Sequence, residues 1–306
     1  MTEPTRRPPP PWRSEASAPE VPSLPRPGRV LISDPEFKLF QQLVLREAGI
    51  HLGEPKRELL MARLGRRLRE LGLGTFGAYY RRVRSDPAEL AEMLDRIATN
   101  ETGFFREPAQ FELLARRIFP AWESDAQAGR RPRTLRAWSA GCSTGEEPYS
   151  LAMCALAHLP GWSVEILATD LSHRALARAR EALYPLARAD QVPTPYRKRF
   201  MLRGERSREG WMKAGPELRS VVRFDHLNLS REVAPGGAYD LILCRNVLIY
   251  FHPATRARTL RAVVGRLAPG GYLLLGHSES PGELWDRLRR VVPTVYSNAG
   301  VGEAGR

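Results

Sequence analysis

The run Gly141-Cys142-Ser143-Thr144-Gly145-Glu146-Glu147 holds the most telling chemistry of the chain. An apolar stretch precedes it and a helical pattern follows, so a strand enters a glycine turn and leaves as a helix. Glycines at such a turn let a ligand approach the backbone and leave the helix N-terminus facing it. The spacing is G-x-x-x-G and departs from the G-x-G-x-x-G of dinucleotide sites. Glu146 and Glu147 repel a phosphate and welcome a cation. A ligand that joins a nucleoside to a positive centre, without phosphate, meets these terms, as S-adenosylmethionine does. The next apolar run ends in Asp170, 25 residues beyond Gly145. An acid at the end of the second strand is placed to accept both ribose hydroxyls. Asp170 could instead cap the following helix, but the pairing of turn and acid favours the nucleoside. Asn228, Cys244 and Arg245 fall at or near the ends of later predicted strands, where open α/β sheets bind ligands. His252 and His277 have no partners at metal-ligand spacing and read as structural; no metal is expected.

The elements that must position these residues fall into two styles. Residues 34–95 show helical periodicity. Ser33 or Asp34 caps a first helix carrying Phe37, Phe40, Leu43 and Val44. A second helix over 54–72 has Leu59, Leu60, Leu64, Leu68 and Leu71 as its apolar stripe. Its basic residues lie largely off that stripe, and two shorter helices follow. From about residue 133, short apolar runs alternate with helical segments, which argues a mostly parallel sheet with helices on both faces. The stretch 198–224 is punctuated by glycine and reads as a small antiparallel β excursion. A late strand around 289–298 closes the sheet. The expected fold is therefore α/β and Rossmann-like, preceded by a small all-α domain. The divisions are a disordered Pro-rich tail over 1–30, a helical domain over 31–98, and a linker and helix over 99–125. The ligand-binding domain spans 126–300, with its β insertion at about 199–224.

Composition narrows the function classes. The chain has 306 residues with 42% hydrophobic and 26% charged, ordinary values for a soluble two-domain protein. Nine of the 26 prolines crowd into residues 1–30, which lack apolar periodicity. Apolar runs such as 241–244 fall far short of the roughly 18 residues that span a bilayer, so no membrane insertion is expected. No secretory leader is visible. Cys142, Cys154 and Cys244 show no metal spacing and suit a reducing compartment, so a cytoplasmic location is expected. A formal net charge of +13 draws the protein to polyanions, namely nucleic acid, an anionic surface or an acidic protein.

Five runs, "IATNETGFFREPAQF", "WSAGCSTGEEPYS", "FDHLNL", "CRNVLIYF" and "LLLGHSES", occur in this order. With them the chain resembles the bacterial chemoreceptor protein-glutamate O-methyltransferases of the CheR type, over about 34–297. The resemblance implies the same architecture: a helical domain, a methyltransferase domain and a β-subdomain. It also implies S-adenosyl-L-methionine as cofactor and S-adenosyl-L-homocysteine as product. Asn100, Thr102 and Arg106 would line the cofactor and substrate cleft beside Gly141 and Gly145. Glu147 would meet the methionine amino group and Asp170 the ribose. Asn228 and Leu229 would flank the adenine, and Cys244, Arg245, Asn246 and Val247 would follow the next strand. Arg106, Arg245 and Tyr250 would serve catalysis, the arginines orienting the acceptor carboxylate and Tyr250 projecting toward the methyl group. Cys142 stands where relatives often carry another small residue.

The implied substrate is a glutamate of chemoreceptor cytoplasmic helices, already ionised at neutral pH, so its attack needs no general base. Lys56, Arg57, Arg63, Arg66 and Arg67 would form the face that meets an acidic receptor helix, the enzyme acting as a monomer. A methyltransferase of RNA also suits the charge, but no RNA-binding pattern of aromatics on a basic strand is present and no nucleic acid is expected. A non-catalytic scaffold of the same fold is a third reading, opposed by the intact set of candidate residues.

Overall fold

Ser33 opens the first helix as its sequence predicts. Its hydroxyl accepts the Glu36 N–H, and the Glu36 carboxylate accepts the Ser33 N–H at 2.9 Å, a capping box with Pro35 in the first turn. The computed structural model describes residues 30–232, 235–284 and 287–298. The proline-rich stretch expected to form a tail lies, apart from Val30, outside the described residues.

The first part of the chain is helical: α1 (Asp34–Ala48), α2 (Arg57–Glu70), α3 (Phe76–Ser85) and α4 (Pro87–Ile97). Phe37, Phe40, Leu64, Leu68, Tyr79 and Met93 form its centre, all fully buried. Leu59, expected in the apolar stripe of α2, is 40% exposed, while Met61 is buried. The helix is therefore rotated slightly from the leucine pattern, and Leu59 looks outward from the bundle core.

After a linker the chain runs through α5 (Pro108–Leu113), a π turn over Leu114–Ile118 and α6 (Phe119–Gln127). It then alternates between β1 (Thr134–Ala140), α7 (Glu146–His158), β2 (Ser163–Asp170) and α8 (His173–Glu181). An excursion follows, built from β3 (Leu183–Pro185), α9 (Thr194–Phe200), β4 (Met201–Arg203) and β5 (Trp211–Ala214). The chain returns through α10 (Pro216–Val221) and β6 (Val222–His226), then β7 (Tyr239–Cys244), α11 (Pro253–Val264), β8 (Leu267–Leu275), β9 (Leu288–Val292) and β10 (Val295–Asn298).

Seven strands make one sheet in the order β6-β2-β1-β7-β8-β10-β9. The first five run parallel, and β10 is antiparallel to both of its neighbours. Alternate residues feed two cores: Leu241 and Leu243 join one cluster, Ile242 and Cys244 the other. A parallel sheet buried on both faces reads as such continuous apolar runs. The strand order reverses between β1 and β7, which opens a crevice beyond their C-terminal ends.

Two stretches differ from the sequence reading in detail. The small sheet has the order β3-β5-β4, so its first strand lies ahead of the expected 199–224 window. Residues 222–226, at the end of that window, pair in parallel with β2 as a strand of the main alternation, Val222 opposite Ile166. The late strand is a hairpin, since Thr294 at φ +67° after Pro293 turns the chain between β9 and β10.

Candidate functional site

A cleft of about 1170 Å³, counting its open mouth, lies between the strand ends and the helical domain. The β1–α7 turn, the ends of β2, β6 and β7, and the linker 98–106 form one side. Residues 48–52 and α2 form the other. Thr169 at the end of β2 accepts the N–H groups of Gly141 at 2.8 Å and Cys142 at 2.9 Å, which pins the turn to the sheet. Gly141 sits at φ +87° with Val247 so close that a Cβ would lie 2.3 Å from its Cγ2. Ser143, also in the left-handed region at φ +50°, donates its N–H to Asp170 Oδ2 at 2.8 Å. The Ser143 hydroxyl donates to the Asn100 carbonyl at 3.1 Å, tying the linker to the turn.

Asp170 thus holds the turn, and its other oxygen accepts the Ser172 N–H at 2.9 Å. Ser172 itself caps α8, so the capping role weighed for Asp170 falls to its neighbour. Asp170 still borders the cleft. Burial raises its pKa, outweighing the lowering effect of the Ser172 and Ser143 N–H groups.

Glu147 projects from the first turn of α7 into the cleft. Ser139 Oγ donates to its Oε1 at 2.7 Å, and Arg245 donates to its Oε2 at 3.1 Å. Arg245 also pairs with Glu107 at 3.4 Å, and Glu107 with His277 at 3.1 Å. Burial pushes the Glu147 carboxyl up despite Arg245. One guanidinium between two carboxylates leaves this wall short of positive charge. An ammonium beside Glu147 supplies what is missing in this corner, while Lys56, Arg63 and Arg106 line other parts of the cleft.

Of the residues named from sequence, the cleft gathers Asn100, Thr102, Arg106, Gly141, Glu147, Asp170, Asn228, Leu229, Arg245, Asn246, Val247 and Tyr250. Gly145 and Cys244 are absent from its wall. Gly145 serves packing: a Cβ there would lie 3.0 Å from both Ala179 Cβ and the Tyr184 hydroxyl. Cys244 is fully buried in the core. Arg245 must be corrected as a substrate-orienting group. Its side chain is 1% exposed, and both terminal nitrogens are taken by Glu147, Glu107 and the Arg106 carbonyl. Only the buried Nε is left without a partner among the described residues, so Arg245 positions Glu147 instead. The Asn228 side chain is likewise spent, donating to the Glu47 carbonyl at 2.7 Å and accepting from Ser230. Phe104 and Phe105 belong to the core on the sheet side, edge-on to Tyr184 and stacked on Tyr196.

The basic helix divides. Lys56 and Arg63 line the cleft. Arg63 donates to the carbonyls of Ile97 and Ala98 at the end of α4, where the linker starts. Arg57 pairs with Asp34 and Glu54. Arg67 grips the buried Glu89 at 2.7 Å, a structural duty that the charge pattern did not show. Arg66 is 77% exposed. Sequence reasoning missed Ser143, Ile50, Leu59 and Glu101 in the wall. It also assigned no role to Glu279, although that residue stood inside a quoted run.

Glu146, expected beside Glu147 at the ligand, is instead buried, paired with Arg188 and absent from the cleft wall. A doubly wound sheet with an acid closing β2, and Glu147 in place of a phosphate cradle after β1, is the arrangement of a nucleotide-fold methyltransferase that uses S-adenosylmethionine. Comparison with known proteins is more specific. Residues 35–98 match the CheR methyltransferase all-alpha domain and residues 100–296 the CheR methyltransferase SAM-binding domain. The chain belongs to the CheR methyltransferase family. It is 39% identical over 267 residues to chemotaxis protein methyltransferase 2 of Pseudomonas aeruginosa, covering 86% of this chain and 93% of that one. With the chemotaxis protein methyltransferase of Escherichia coli K12 it shares 38% over 276 residues, covering 88% and 92%. No helix among the described residues is long and apolar enough to cross a membrane.

Proposed function

We propose that the protein methylates glutamate side chains of chemoreceptor cytoplasmic helices, forming methyl esters. The observation that carries this reading is the meeting of Glu147, Asp170, Arg106 and Tyr250 on one cleft. S-adenosylmethionine, when bound, supplies an electrophilic methyl group. Glu147 would receive its amino group, and Asp170 its ribose hydroxyls beyond the two backbone bonds already held. Leu227, Leu229 and Val247 offer apolar surface for a base.

Arg106 is the arginine left to orient the acceptor. Among the described residues its guanidinium makes one hydrogen bond, to the Glu101 carbonyl at 3.2 Å, and Arg106 is half-buried at the cleft edge. A carboxylate held there loosely can still move toward the methyl group. Tight binding would stabilise the ground state as much as the transition state. Tyr250 faces the same space, and burial raises its pKa, so its hydroxyl stays a neutral donor at physiological pH. No proton has to leave a glutamate with an ordinary pKa of roughly 4.3. The residues' task is therefore alignment and exclusion of water, not base catalysis.

In this reading a cytoplasmic monomer acts on a receptor helix, which meets the exposed Arg66 and the mouth lined by Lys56 and Leu59. The helical domain ends near 98, and the linker and helix to about 125 lead into the catalytic domain. Incubation with cofactor tritiated on its methyl group, with receptor, RNA or no substrate, tests the function. Base-labile label on receptor is expected; label on RNA alone, or none, refutes it.

A further inference from the structure

The segment that carries Tyr250 leaves β7 through an unusual turn. Asn246 sits at φ +58°, and the N–H groups of Asn246, Val247 and Leu248 converge on one point. Successive N–H groups in such a turn make an anion-binding nest. Here the anion is internal. Glu279 Oε2 accepts the Asn246 N–H at 2.8 Å, and Oε1 accepts those of Val247 at 2.9 Å and Leu248 at 2.7 Å. Oε2 also accepts the Gly276 N–H at 2.8 Å, which fastens the turn to the end of β8. Glu279 is 9% exposed, so these four bonds replace its hydration. No side chain fits between the partners: a Cβ on Gly276 would lie 2.6 Å from Asn246 Nδ2 and 2.9 Å from Glu279 Oε2.

We propose that Glu279 is a positioning residue for methyl transfer, its buried carboxylate shaping the 246–248 turn so that Val247 seats against Gly141 and Tyr250 points into the cleft. The inference rests on the proposed function for its substrate but not for its geometry. Glu279 does not border the cleft and acts through the turn. In a neutral amide one of the two acceptor oxygens is lost, and the N–H groups that converge on it lose their partner. Asn246 then has less reason to hold a left-handed conformation that costs free energy in most residues, and Val247 and Tyr250 are free to shift by fractions of an ångström. Misplacement of that size is enough to slow a reaction that depends on alignment.

Glu279→Gln preserves the shape but presents an NH2 group to backbone donors. In the full chain we expect kcat for receptor methylation to fall at least tenfold, with the receptor KM within about twofold of wild type. S-adenosylhomocysteine affinity, read by calorimetry, should weaken about three- to tenfold. Hydrogen exchange should quicken over 245–250 while the rest of the sheet stays protected. Glu279→Asp, which keeps the charge on a shorter arm, should recover part of kcat. A folded Gln variant with kcat and cofactor affinity within twofold of wild type overturns the proposal. If Glu279→Gln does not fold, Gly276→Ala attacks the same contact from the other side and is judged by the same readouts. A wild-type protein that leaves receptor unmethylated refutes the proposed substrate instead. In that case calorimetry and hydrogen exchange still decide the role of Glu279.

Discussion

Burial and pairing set the working charges of Glu147 and Asp170, and both effects follow from individual contacts. Each carboxyl is raised by desolvation, against the pull of Arg245 on one and two backbone N–H groups on the other. A raised folded-state pKa means that these groups favour the empty fold most below their unfolded values, and lose that contribution as pH rises through the folded values. The ligand's ammonium favours the ionised form of Glu147, and two donating ribose hydroxyls favour that of Asp170. S-adenosylhomocysteine affinity should therefore fall as pH drops toward those raised pKa values, above the range of an ordinary carboxylate. Calorimetry in buffers of different ionisation enthalpy should show net proton release in that window. An affinity that stays flat with pH would remove both groups from the contact. Asp170→Ala should weaken binding by about 1–3 kcal/mol through lost charged hydrogen bonds. The same substitution also frees Ser143, so circular dichroism must show the turn's host fold intact.

At the scale of elements, α2 carries three kinds of arginine that look alike in sequence. Arg67 satisfies Glu89, which is 3% exposed and also accepts from the Tyr79 hydroxyl at 2.9 Å. Burial raises the Glu89 carboxyl, but Arg67 and Tyr79 outweigh it and leave the pKa below the usual value. Arg67→Ala should cost about 1–3 kcal/mol by leaving that carboxylate short of a partner, read as a lower urea midpoint. The stability that the pair adds is present above the ordinary carboxylate pKa and lost as pH falls through the lowered one, so the variant should differ least from wild type in acid. Arg66→Ala should leave the midpoint within about 0.5 kcal/mol. It should raise the receptor KM at low salt, an effect that fades as salt screens exposed charge. An unchanged KM at low salt would show that the receptor docks away from this helix. Arg63 caps α4 where the linker begins, so its loss should disturb cofactor affinity too, unlike that of Arg66.

The whole molecule depends on a seam between the helical domain and the sheet. Gly49 ends α1 at φ +68°, and a Cβ there would lie 2.5 Å from Thr255 Cγ2 and 2.8 Å from Ser230 Cβ. Around it, Asn228 and Arg231 bond to Glu47, the His51 N–H donates to the Tyr250 carbonyl at 2.8 Å, and that of His252 to the Gly49 carbonyl at 3.1 Å. Arg174, at the start of α8, donates to the Asp95 carbonyl at 3.0 Å on the opposite flank. Gly49→Ala should destabilise the protein by about 1–3 kcal/mol through backbone strain and overpacking. Because the seam carries Tyr250, the same variant should also raise the dissociation constant for S-adenosylhomocysteine. Wild-type affinity in a destabilised variant would uncouple the seam from the cleft.

The amino-acid sequence by itself determined the helical first part, the strand–helix alternation, the glycine turn and the acid after the second strand. These are local matters of period, capping and spacing, and each is written within a few residues. It also carried the family's runs in order, and through them the composition of the cleft. Tertiary structure alone decided which of those residues face the cleft. Gly145 packs against α8, Arg245 is spent between two carboxylates, and Arg67 answers a glutamate 22 residues away. Glu279 reaches back 31 to 33 residues to fix a turn. Hydrogen bonds between residues so far apart in sequence leave no period to read, because the partners meet only once the sheet has brought β7 beside β8.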